Sequence, residues 1–370
     1  MVRRLLYLNG LAVIGVVLNH ALAWSYIALF WWAHRYRSVA SPNFDQMGSA
    51  TYYVLRAAEQ AIIFSIPAFL FVSGFFVAVA AGRAQTTIRW SIVVVRIRDL
   101  VIPYLLWSLL IFASDFLQSG QALPALAYLK RLAIGAAADP FYYVPMIVQL
   151  YLLAPFLTPL ARTRPRVLLL GSGLLQGIVL LLRYVAILQL DLPAARPLLW
   201  LTTSWLFPGY IFWFAGGIVV GFHLAQVRAL AARLRWGLVA AIVALFFACL
   251  FEWEALLRLS GRAWIGPRET LLDCLFSFAV LFAFLAFDRA RLPAFERLSE
   301  LGPQSFGVYL AHSPILEYTA RGIYHLAPAL LGLLLLFLSI LVALGLGLPL
   351  LLMTAVKRSP ARPLYSYLFG

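Results

Sequence analysis

Ten long apolar stretches, joined mostly by short basic connections, constrain this chain more than any other feature. They cover 5–32, 52–81, 100–117, 141–160, 167–190, 198–224, 238–257, 269–287, 305–327 and 329–356. Each is about as long as the ~20 residues a helix needs to cross a bilayer. Of the 370 residues, 64% are hydrophobic and only 12% charged. That composition leaves too little polar surface for a soluble domain of this size. The runs are continuous rather than alternating, which excludes a transmembrane β-barrel. The expected fold is all-α: a polytopic transmembrane bundle of about ten helices, forming one domain over residues 1–370.

The net charge of +15 could suggest nucleic acid. The placement of the charge argues otherwise. With the N-terminus inside, the inner segments hold Arg3 and Arg4; Arg83, Arg89, Arg96 and Arg98; Arg162, Arg164 and Arg166. They continue with Arg228, Arg233 and Arg235; Arg289, Arg291 and Arg297; and Lys357, Arg358 and Arg362. That is 18 of the 29 basic residues, with every inner loop occupied. This bias sets both termini on the cytoplasmic side. No nucleic-acid partner is expected. Trp31, Trp32, Trp200, Trp205 and Trp264 fall near outer ends, as in an interfacial aromatic belt.

Arg3-Arg4, an apolar core and Ala21-Leu22-Ala23 imitate a secretory signal with its cleavage site. The apolar run continues to Trp32, which favours a retained span. Cys249 and Cys274 lie within apolar runs and read as small buried side chains. No Cys/His spacing for a metal is present. The outer stretch 118–140 spaces Leu123, Leu126, Leu129 and Leu132 around Lys130 and Arg131. It reads as an amphipathic surface helix.

Polar groups inside apolar runs are costly and point to function. The first run carries Asn9, Asn19 and His20. Eleven residues separate Asn9 from His20, so a helix sets both on nearly one face, roughly 16 Å apart. An imidazole there can serve as a general base, taking a proton from a hydroxyl. His312 lies at similar depth in the ninth run, followed by Pro314 and, one turn on, Glu317. Ser73-Gly74-Phe75 allows close helix approach. Arg89, Arg96 and Arg98 could form a basic inner lip matching phosphate oxygens. Tyr142, Tyr143, Gln149 and Tyr151 open the fourth run, and Gln149 and Tyr151 cannot share one helical face. His34, His223 and His325 are expected to be solvated at membrane edges. Arg183, Glu252 and Glu254 are expected to reach toward the outer interface.

Five places give the chain its resemblance to the acyltransferase-3 family of membrane O-acyltransferases. They are Leu8 to His20, Ser73-Gly74-Phe75, Ile102-Pro103-Tyr104 with Trp107, Phe141 to Tyr151, and Ser305 to His312. Their order carries more than any one motif. His20 matches the family's essential histidine of the first span. Two departures stand out. Asn9 occupies the place of an arginine usual in the family, and Arg96-Ile97-Arg98-Asp99 alters the inner Arg-x-x-Arg.

The resemblance implies acyl transfer from cytoplasmic acyl-CoA to a hydroxyl of an extracytoplasmic glycan or glycolipid, in the cell's inner membrane. His20 would be catalytic. Asn9, Arg89, Arg96 and Arg98 would meet the donor. Asn19, Ser73, Tyr142, Tyr143, Gln149, His312 and Glu317 would line the cavity or meet the acceptor. Acyl-CoA would be a co-substrate, with no cofactor or metal besides. The lipid bilayer is the surrounding partner, and a homo-oligomer is compatible with the sequence. A transporter or flippase for a glycan or lipid-linked sugar is the rival, since polar groups and broken helices also suit a transport path.

Overall fold

The computed structural model describes residues 1–82, 87–266, 269–288 and 290–370. Arg83 and Arg289, expected in inner loops, lie outside the described residues. Within those residues no strand occurs. The helices in chain order are α1 Val2–Tyr26, α2 Ala50–Ile62, α3 Ser65–Ala81, α4 Trp90–Ser119 and α5 Ala125–Ile134. Then come α6 Tyr143–Thr163, α7 Pro165–Ile187, α8 Ile211–Ser260 and α9 Leu271–Ala286. Last are α10 Phe295–Leu301, α11 Ser305–Leu326, α12 Leu334–Arg358 and α13 Tyr365–Phe369.

Seven helical segments are long and apolar enough to cross a membrane. The protein is a membrane protein with a polytopic helical bundle. One segment, α8, is 50 residues long. At ~1.5 Å per residue it would be over twice as long as the hydrocarbon core is thick. It breaks at His223 (φ −115°, ψ 28°) and so accommodates two of the expected stretches. His223 is held by the break: Nε2 lies 3.0 Å from the Ala161 carbonyl and Nδ1 3.2 Å from Gln226. It is not simply solvated, as its edge position suggested. The stretch 198–224 is also only half α-helix. It runs through 3-10 turns at Arg196–Thr202 and Phe207–Gly209 before α8 begins. The stretch 52–81 breaks at Ile63 and Phe64, just before Pro67, giving α2 and α3.

The first helix is the hub. It packs against α2, α3, α10, α11 and α12. Glycines permit this crowding. A Cβ at Gly10 would stand 2.1 Å from the Leu298 carbonyl oxygen of α10, and one at Gly15 would stand 2.1 Å from Ser65 Oγ. The helices α3 and α8 also pack closely. There a Cβ at Gly74 would sit 2.0 Å from the Phe214 carbonyl oxygen, and one at Gly217 2.0 Å from that of Phe71. Gly217 and Gly221 form a small-xxx-small pattern, which lets backbones touch where lipid gives no hydrophobic driving force.

A buried polar network ties the ends of α1, α2, α7, α8 and α9 that lie opposite the N-terminus. Arg56 pairs with Glu59, and its guanidinium lies 3.6 Å from the Trp253 ring centroid. Tyr26 donates to Glu59 at 3.3 Å, and Gln60 donates to Asp273 at 3.1 Å. Thr270 caps α9 reciprocally with Asp273 and donates to Glu252 at 2.6 Å. Tyr184 also donates to Glu252. Tyr52 donates to Glu254 at 2.8 Å, and Arg183 lies 3.4 Å from Glu269. Arg183, Glu252 and Glu254 therefore do not reach outward as expected. Partners inside the bundle satisfy them at lower cost than extension to water.

Candidate active site

His20 sits near the C-terminal end of α1, between a cavity and a second histidine. The cavity encloses about 490 Å³. Four parts of the chain build it: α1, α4, the segment Ala137 to Pro140, and α11. Its polar lining includes His20, Ser114, Asp115, Gln118, Asp139 and Glu317, and its aromatic lining is Trp24, Trp107 and Tyr318. Tyr318 hydrogen-bonds Ser114 and lies 3.2 Å from Gln118, so α4 and α11 are clasped across this cavity. Glu317 pairs with Arg321 at 2.7 Å. Asp139 lines the same cavity as His20.

His312 lies directly behind His20. Their ring centroids are 5.2 Å apart, with the planes tilted by 46°. His312 is fully buried on α11. Its Nδ1 lies 2.6 Å from the Tyr309 carbonyl. A carbonyl only accepts, so Nδ1 carries the proton. Among the described residues Nε2 of His312 is buried with no partner. Pro314, two residues on, cannot supply the helix with a backbone N–H.

A second, smaller cavity of about 110 Å³ lies toward the N-terminal end of α1. Asn9, Ser73, Tyr143, Tyr151, Ser305 and Tyr309 give it polar groups, and Ile66, Phe69, Leu100, Ile147 and Phe306 line the rest. Ser73, Tyr143 and Tyr151 share its wall. The Oδ1 of Asn9 has no hydrogen-bond partner among the described residues. Between the two cavities Tyr309 donates to the Pro140 carbonyl. The ring of Tyr309 also stands 6.0 Å from that of His312.

Six of the twelve expected site residues line cavities, and they are divided among three of them. His20 and Glu317 reach the larger cavity; Asn9, Ser73 and Tyr143 reach the smaller. Tyr142 lines a third cavity of about 320 Å³, which shares Ala137, Ala138 and Asp139 with the larger one. Gln149 lines none of the three. Its amide is consumed by the Pro145 and Trp205 carbonyls, and its Oε1 accepts from Phe207 N–H. It holds the irregular 3-10 segment instead of a ligand. Asn19 is half-buried and also lines none of the three. The exposed Arg89, Arg96 and Arg98 sit at the beginning of α4 and do not line the cavities. Arg98 is paired with Asp99 at 3.0 Å.

Several lining residues escaped sequence reasoning. Asp115 and Asp139 were visible as acids at the ends of apolar runs. Trp107 and Tyr309 stood inside motifs, with no sign of what they would face. Tyr318 gave no signal at all.

No curated protein and no solved structure matches the chain. Residues 4–348, nearly the whole chain, match the model of an acyltransferase domain, and the protein belongs to this acyltransferase-3 family of membrane acyltransferases.

Proposed function

We propose that the protein moves a short acyl group from acyl-CoA to a hydroxyl of a glycan, with His20 as general base. The observation that carries this reading is the place of His20. It lies at the inner end of a cavity rich in carboxylates and aromatic rings, with a smaller cavity on the other side of the adjacent Tyr309. Carboxylates accept from sugar hydroxyls, and aromatic faces stack on sugar rings. Asp115, Asp139, Glu317, Trp24 and Trp107 offer both. The smaller cavity suits a thin acyl-thioester arm, and the carboxamide of Asn9, which lines it, would meet that arm. Arg89 and Arg96, at the basic end of α4, would meet the donor's phosphates.

The chemistry follows from this placement. His20 takes the hydroxyl proton as oxygen attacks the thioester carbon. The C–O bond forms, the C–S bond breaks, and the proton passes to the thiolate. Binding both partners in fixed positions supplies much of the rate. The membrane concerned is the cell's inner membrane, with both termini cytoplasmic, as the charge distribution argues.

The test is acyl transfer by protein purified in lipid nanodiscs, using acetyl-CoA and a mixture of surface glycans. Wild-type protein should release thiol and label a glycan. His20→Ala should reduce both by 10²-fold or more, the usual worth of a general base. Full transfer by the variant would reject His20 as base. Movement of unmodified glycan across liposomes without acylation would favour a transporter.

A further inference from the structure

We propose that His312 is a positioning residue for His20, an inference that rests on His20 being the base. The bare Nε2 of His312 accepts a hydrogen bond from one ring N–H of His20. That contact fixes the His20 tautomer and turns its other nitrogen, as a lone pair, into the larger cavity.

The tautomer of His312 is dictated by its neighbour. Nδ1 donates to the Tyr309 carbonyl at 2.6 Å, so in the neutral ring Nε2 has no hydrogen and can only accept. This nitrogen is buried without a partner among the described residues. A buried acceptor left unsatisfied costs about 1–3 kcal/mol, so its retention calls for a donor. The nearest ring is His20, at 5.2 Å between centroids. Ring nitrogens facing each other across that separation are left roughly 3 Å apart, within hydrogen-bond range.

The arrangement resembles a base held by a third group, with an imidazole where a carboxylate is more usual. A neutral partner has one advantage in the bundle: it introduces no further buried anion. During transfer His20 takes the hydroxyl proton and becomes an imidazolium. It keeps its N–H toward His312 and gives the new proton to the departing thiolate sulfur. His312 holds its own Nδ1 proton throughout, and nothing is oxidised or reduced.

The experiment compares His312→Asn with His312→Gln in nanodiscs. Asparagine keeps the donor toward Tyr309 but has no atom at the Nε2 position. Glutamine places an acceptor oxygen there. The Asn variant should lose kcat by about 100-fold, a loss on the scale of a general base, with KM for acetyl-CoA and acceptor within about twofold. The Gln variant should recover at least tenfold of that loss. An Asn variant with full kcat, or a Gln variant no better than Asn while both remain folded, would overturn the inference. Nitrogen-15 NMR of histidine-labelled wild-type protein gives an answer independent of turnover. Hydrogen on Nδ1 of His312, and a His20 tautomer that becomes mixed in His312→Asn, supports the pairing; hydrogen on Nε2 of His312 refutes it. If wild-type protein transferred no acyl group, the proposed function would fall while the NMR result still decided the pairing.

Discussion

Tyr309, which lines the smaller cavity, donates its hydroxyl hydrogen to the carbonyl of Pro140, which lines the larger one. This single bond joins α11 to the segment before α6 at the wall between the two compartments. For the proposed transfer from a thioester to an alcohol, such a wall would control where the reactive ends meet.

Tyr309→Phe should therefore uncouple the reaction. The Pro140 carbonyl loses its partner, a cost of about 1–3 kcal/mol for a buried group. Thiol release from acetyl-CoA without acceptor should rise several-fold relative to glycan labelling. The ratio of the two rates, measured on one preparation, is the check; an unchanged ratio would show that this bond plays no part in separating the cavities.

Asn9 gives a second expectation. It lines the smaller cavity, and its buried Oδ1 has no partner among the described residues. Asn9→Leu should raise KM for acetyl-CoA by roughly tenfold, the scale of one lost hydrogen bond of ~1.4 kcal/mol. The acceptor KM should stay constant. A change confined to the acceptor KM would place Asn9 on the wrong side of the reaction.

Helix contact supplies a prediction free of any functional assumption. Gly217→Ala puts a methyl group where the Phe71 carbonyl oxygen is only 2.0 Å away, whereas nothing lies within 4 Å of a Cβ at Gly216. The first should cost at least 1–3 kcal/mol through overpacking. The second should leave stability unchanged or slightly raised, since alanine favours helix. Thermal unfolding of the two variants in the same detergent separates them; equal melting temperatures would contradict the packing described.

The Arg56–Glu59 pair is buried on both sides, with 6% side-chain exposure each. Glu59→Gln removes the charge that compensates Arg56 and should cost about 3–5 kcal/mol, whereas replacing both by apolar residues of similar volume should recover most of it. The double variant Arg56→Met/Glu59→Leu is the control. Its melting temperature should lie above that of Glu59→Gln.

The sequence by itself determined the membrane bundle and the family. Length and continuity of apolar runs are enough for the first, because backbone groups in lipid must bond within their own helix. The placing of Asn9 and His20 on α1 was equally legible, since helical periodicity is local. Tertiary structure alone decided which polar residues meet. His312 could be recognised as an intramembrane histidine, but not as the neighbour of His20, because helix pairing depends on contacts far apart in the chain. Gln149 and Arg183 were misread for the same reason: an amide or guanidinium in an apolar run looks free until the opposing carbonyl or carboxylate is in place. Periodicity gives the face a side chain occupies; only packing gives what stands opposite it.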